Sequence, residues 1–137
     1  MLSPNELVSE ISKLLARDYI CYVHRQSREL TSIEIEHVGL PENQIVINQI
    51  EEKISRYIKC EPMPTQKLLW VMQGFLSEIT DDELGRELKS ALKRKKPTRN
   101  FLQILDSRYD IKQHWTLYKA EQYEEYVAEL FIKDYNY

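Results

Sequence analysis

Tyr19-Ile20-Cys21-Tyr22-Val23-His24, followed after the polar residues 25–28 by Leu30-Thr31-Ser32-Ile33-Glu34-Ile35-Glu36, decides the fold. The first run is dominated by β-branched and aromatic side chains, and the second alternates around Ile33 and Ile35. A period of two with such residues suits a pleated, half-buried surface and predicts a β-hairpin. Upstream the period is helical. Ser3-Pro4-Asn5-Glu6 has the form of a capping box, with Pro4 at the first helical position, and Leu7, Ile11, Leu14 and Leu15 follow as one apolar stripe ending near Arg17. Downstream, Val38-Gly39-Leu40-Pro41 reads as a loop. Asn43 then stands where it could cap a segment holding Ile45, Ile47, Ile50 and Ile54. Its branched residues allow strand or helix over 44–55, and Glu51, Glu52 and Lys53 tip the reading to helix. Residues 56–61, with Tyr57, Ile58 and Cys60 ahead of Pro62 and Pro64, suit a third short strand joining the hairpin.

Beyond Pro64 the pattern is helical throughout. Thr65 is placed to cap a helix containing Leu68, Leu69, Met72, Phe75 and Leu76. Thr80-Asp81-Asp82-Glu83 has the form of a second capping box, before Leu84, Leu88, Ala91 and Leu92, and Pro97 forbids continuation. Phe101, Leu102, Ile104 and Leu105 form a short helix, and a last helix starting near Asp110 presents Ile111, Trp115, Tyr118, Tyr126, Val127, Leu130 and Phe131. The expectation is an α+β fold in one domain of 137 residues, with two or three antiparallel strands and four to six helices.

Composition bounds the function classes. Hydrophobic residues at 42% are enough for one core, and charged residues at 30% mark a solvated surface. No apolar run approaches the ~20 residues that span a bilayer. The first residues lack a basic segment followed by an apolar one, so a cytoplasmic location is expected. Cys21 and Cys60 are then expected as reduced, buried thiols.

The charge is unevenly spread. Residues 86–99 hold seven basic side chains and one acid, a local +6 in a chain of formal charge −3, so the remainder carries −9. Lys93, Arg94, Lys95, Lys96 and Arg99 are the densest part and the candidate partner site. Cations at a helix end complement its dipole, but five among seven residues exceed that need. Such a cluster points to an acidic protein partner, within a non-catalytic interaction or regulatory module, or alternatively to RNA or DNA. In the nucleic-acid reading, Phe101 and Trp115 would be the neighbours for stacking beside Arg99 and Lys119, whereas Trp115 and Tyr118 are expected to support the fold.

Several motifs of the second half carry a resemblance. Trp70-Val71-Met72-Gln73-Gly74-Phe75, the run from Leu84 to Leu92, Phe101-Leu102-Gln103-Ile104-Leu105 and Trp115-Thr116-Leu117-Tyr118 resemble successive motifs of a bacterial family known as uncharacterised protein family 0158. The resemblance covers roughly residues 54–131 and extends more loosely to the first helix and hairpin. Two departures stand out. Ser27-Arg28-Glu29 occupies the turn where the family usually has a Thr-Gly-Glu-type sequence, and residues 94–101 replace a Gly-Lys-Gly-like loop and Phe-Arg-Arg-Phe-type run. The resemblance implies a compact α+β fold and no activity.

Other chemistries find little support. Cys21, His24, His37 and Cys60 are metal ligands in kind, but Cys21 and His24 are an odd number of residues apart and would face opposite sides of a strand. His114 has no nucleophile motif near it; an enzyme would need His114, Glu121 and Cys60 to converge in a cleft. The glycines Gly39, Gly74 and Gly85 are too scattered for a phosphate loop, and Gly74 and Gly85 inside helical patterns point to close helix packing. Asp81, Asp82 and Glu83 read as helix N-terminal charges, and Glu121, Glu124, Glu125 and Glu129 as the wet face of the last helix. Of the C-terminal tyrosines, Tyr118 and Tyr126 are expected to face the core and Tyr123, Tyr135 and Tyr137 the solvent. No cofactor is expected.

Overall fold

The hairpin forms as its period requires. In the computed structural model, which describes residues 2–135, β1 (Tyr19–His24) pairs antiparallel with β2 (Leu30–Glu34) and, on its other side, with β3 (Tyr57–Cys60). The sheet order is β2-β1-β3. With six α-helices among the described residues, the protein is α+β. It divides into two compact units, the residues up to Met63 with those from Tyr123 onward, and Pro64–Gln122.

In the first unit, α1 (Pro4–Ala16) is nucleated by the expected box: the Glu6 amide donates to Ser3 Oγ at 3.2 Å, and the Glu6 carboxylate accepts from the Ser3 amide at 3.4 Å. Its stripe of Leu7, Ile11 and Leu15 is buried, and the helix packs on β1. Register divides the sheet's side chains. Cys21 opposes Cys60 and Val23 opposes Ile58 on one face, all four buried; Tyr22 opposes Lys59 and His24 opposes Tyr57 on the other. That second face receives α2 (Pro41–Glu51), held by Tyr22, whose hydroxyl donates to Glu51 at 3.1 Å.

Three local expectations are corrected. The second strand stops at Glu34 rather than Glu36, because Glu34 already opposes Tyr19, the first residue of β1; Ile35–His37 turns into a 3₁₀ helix, whose His37 meets Glu34 at 3.0 Å. The segment 44–55 is helical up to Glu51 and then turns. Asn43 is not its cap: Pro41, with φ already fixed, starts α2 earlier, after Leu40, and the Asn43 side chain instead donates to the His37 carbonyl at 2.8 Å. Tyr123 is buried, not exposed, and its hydroxyl accepts from the Met63 amide at 3.0 Å. The Tyr135 side chain and Tyr137 lie outside the described residues.

The second unit comprises α3 (Thr65–Phe75), α4 (Asp82–Leu92), α5 (Pro97–Asp106) and the part of α6 (Tyr109–Tyr135) up to Gln122. Phe75 is the hub of its core. Its ring meets those of Phe101 at 6.4 Å, His114 at 5.1 Å, Trp115 at 5.3 Å and Tyr118 at 5.3 Å, the first three edge-on. Two caps differ from expectation. Thr65 is the first helical residue behind Pro64, with no side-chain cap, since the extended backbone of Pro64 already supplies the entry. Asp81, not Thr80, caps α4: its carboxylate accepts from the Leu84 amide at 3.1 Å and pairs with Arg108 at 3.3 Å, two partners for a charge that a threonine lacks. Both hold the Asp81 carboxyl below its ordinary range, the Leu84 amide most strongly.

Candidate functional site

The turn between α4 and α5 carries the cationic cluster, and local backbone chemistry exposes it. Leu92 is the last residue of α4 and Lys93 its cap; Pro97 cannot extend that helix but is well suited to open the next. The chain must reverse within residues 93–96. It does so through Lys96, which adopts a left-handed conformation at φ 54°, ψ 56°. Asn100 fixes the turn by donating its side-chain amide to the Lys95 carbonyl at 2.8 Å.

All five cations are exposed: Lys93, Arg94, Lys95, Lys96 and Arg99. Arg94 donates to Ser90 Oγ at 3.3 Å, and none of the five forms an ion pair with a carboxylate among the described residues. The charge is therefore not neutralised by the acids that dominate the rest of the chain, within the residues described. Beside it lies an open cavity of ≈ 610 Å³, lined by Lys96 and Arg99 and, among apolar groups, by Pro97, Leu102 and the methyl-bearing Thr65 and Thr98. Leu102 is 39% exposed there on the outer side of α5. In the sequence Leu102 reads only as one apolar residue of a short helix, and so this depression was missed.

The aromatic neighbours expected for nucleic-acid stacking are not available. Phe101 is fully buried and Trp115 is 4% exposed, their rings 5.2 Å apart in the core. Base stacking needs a free ring face. The stacking role is corrected: both rings are structural, as was expected of Trp115.

The remaining sequence candidates separate. Cys21 and Cys60 form no disulfide and are fully buried opposite one another on one face of the sheet, whereas His24 stands on the other face and His37 is in the 3₁₀ turn. Burial, with the Glu10 carboxylate adding to it, pushes the Cys21 thiol up to about 12. No group of three or more metal-ligating side chains occurs among the described residues. Cys60, sealed in the core, cannot serve as a nucleophile in a solvent cleft; His114 is exposed, with its ring edge-on to Phe75. Glu121, Glu124, Glu125 and Glu129 are exposed as expected. No described helix is long and apolar enough to cross a membrane.

Sequence reasoning also passed over a second cavity, of ≈ 470 Å³, between α2 and the sheet and lined by residues including His24, Lys53 and Tyr57. His24 is far in sequence from Lys53 and Tyr57, and only the pairing of β1 with β3 brings His24 and Tyr57 together.

No curated protein and no solved structure matches the chain. A family model does, over residues 2–136, and the protein belongs to the uncharacterised protein family (UPF0158).

Proposed function

We propose that the protein is a non-catalytic interaction module of the bacterial cytoplasm that receives an acidic protein partner at the α4–α5 turn. The observation that carries this reading is the absence of carboxylate partners for Lys93, Arg94, Lys95, Lys96 and Arg99 among the described residues, although the chain outside 86–99 carries −9. Exposed, uncompensated cations steer an oppositely charged partner and discriminate against basic ones. The adjoining depression over Pro97 and Leu102 adds apolar surface that a phosphate backbone does not use. The buried Phe101 and Trp115 count against the nucleic-acid alternative. Two buried cysteines that form no disulfide suit a reducing compartment. We take the whole chain as one folding domain, since α6 contributes residues to both units.

The test compares the full chain with a Lys93→Glu, Lys95→Glu, Arg99→Glu variant, which leaves the left-handed Lys96 untouched. Binding of acidic polypeptides captured from the source cell, of labelled single-stranded RNA and of duplex DNA is measured at low and physiological salt. The reading expects a saturable acidic protein partner, lost in a variant with unchanged melting temperature. Retained partner binding in the variant would refute the site, and tight RNA or DNA binding at physiological salt without a protein partner would transfer the site to nucleic acid.

A further inference from the structure

The cavity between α2 and the sheet has the chemistry of a small-molecule site. Val46, Gln49 and Ile50 recur at helical spacing and so share the side of α2 that lines it, with Glu52 and Lys53 following from the turn after the helix. From the sheet come His24, Thr31 and Tyr57, alternate residues of three different strands, and Glu29 from the hairpin turn. The Gln26 and Ser27 amides both donate to His24 Nδ1 at 3.2 Å, so in this arrangement Nε2 is the nitrogen that carries hydrogen and is left as a donor. The His24 ring is further fixed edge-on to Tyr57 at 5.2 Å. By contrast, the side chains of Glu29, Thr31, Gln49, Glu52, Lys53 and Tyr57 make no hydrogen bond or ion pair among the described residues. A pre-oriented imidazole with several unspent polar groups around an apolar floor of Val46 and Ile50 is the usual composition of a ligand pocket.

The charges select the ligand class. One ammonium, Lys53, stands with two carboxylates, Glu29 and Glu52. A phosphate ester or other polyanion would meet the two carboxylates, and an apolar molecule would strip water from every polar group without replacing its hydrogen bonds. A ligand carrying both signs satisfies both, with its carboxylate toward Lys53 and the neutral donors and its ammonium toward Glu29 or Glu52. We propose that this cavity binds a small zwitterion of the free α-amino-acid class.

Thermal shift and titration calorimetry on the full chain, with each of the twenty common amino acids at millimolar concentration, test this. The expected result is that at least one raises the melting temperature, while its C-terminal amide and its N-acetyl derivative each bind about tenfold more weakly or worse. Lys53→Gln should weaken the free amino acid about tenfold and leave the weak binding of the amide unchanged, a split that a merely structural lysine would not produce. Lys53 is exposed and follows the helix end, so the variant is expected to fold. The proposal is overturned if none of the twenty shifts the melting curve, if the amide or the acetylated form binds as well as its parent, or if Lys53→Gln keeps full affinity.

Discussion

Three described residues stand where L-amino acids are strained: Asp18 just after α1, at φ 64°, and two in later turns. Arg28 in the hairpin turn has φ 61° and Lys96 in the α4–α5 turn has φ 54°. They fall in the same two segments where the sequence departs from the glycine-bearing patterns of the family it resembles. The left-handed backbone is thus kept here without glycine, at the cost of Cβ crowding. Arg28→Gly and Lys96→Gly should each raise stability by about 1 kcal/mol in urea titrations, with no change in the denaturant slope. A second pair of substitutions separates two helical glycines. A Cβ on Gly74 would lie 2.7 Å from the Tyr118 hydroxyl, whereas one on Gly85 meets only Ile79 Cγ2 at 4.0 Å. Close packing is therefore the reason for Gly74 but not for Gly85. Gly85→Ala should gain up to about 1 kcal/mol of helix propensity. Gly74→Ala should instead lose about 1 kcal/mol net, overpacking outweighing that gain, and should become neutral or favourable in a Tyr118→Phe background, as a double-mutant cycle would read.

At the scale of elements, α2 is attached to the sheet by a polar clamp as well as by Ile50. The Tyr22 ring is 2% exposed, its hydroxyl bonds Glu51, and Lys59 reaches the same carboxylate at 3.1 Å. Tyr22→Phe is expected to cost about 1.5 kcal/mol, the low end of the range for a hydrogen bond to a charged group because the Glu51 side chain is partly exposed, measured by chemical denaturation. The clamp also makes stability depend on acid. Lys59, foremost, and Tyr22 hold the Glu51 carboxyl below its ordinary 4.5, and the Leu84 amide and Arg108 hold Asp81 below 3.8. A carboxyl depressed in the folded state contributes stability above its ordinary pKa and loses it as pH falls through the folded value. Glu51→Gln with Asp81→Asn should therefore flatten the decline in melting temperature below about pH 4.5; an unchanged acid limb would show that neither group governs it.

For the whole molecule, Cys21 contributes to the opposite limb together with Tyr22, Tyr123 and Tyr126, all raised chiefly by burial. The folded Cys21 thiol titrates near 12 against an ordinary 9.0, so the stability this burial lends is present below pH 9 and is lost as pH rises toward the folded value. With both thiols fully buried, a thiol reagent at neutral pH should find neither in the native protein and both in denaturant, at a rate following unfolding. The charge distribution acts on the same scale: a field of net −9 outside 86–99 repels polyanions generally, so the proposed attraction of an acidic partner would be confined to the cationic turn.

The sequence by itself determined whatever rests on neighbours within a few residues. The capping box at Ser3, the two-residue period of β1, the stop and restart at Pro97 and the charge on residues 93–99 are all local, and each is found where it was read. Caps misplaced at Asn43, Thr65 and Thr80 lay within three residues of the observed ones, because Pro41 and Pro64 set two of the helix starts and Asp81 competes with its neighbour Thr80 as a cap. What the tertiary structure alone decided is which of those residues meet. The core positions of Phe101 and Trp115, the burial of Tyr123 under the Met63 amide and the cavity joining His24 to Tyr57 and Lys53 all depend on strand pairing and helix packing between distant segments. Side-chain pattern fixes the face a residue shows, but the partner across that face is chosen by the burial of the whole core.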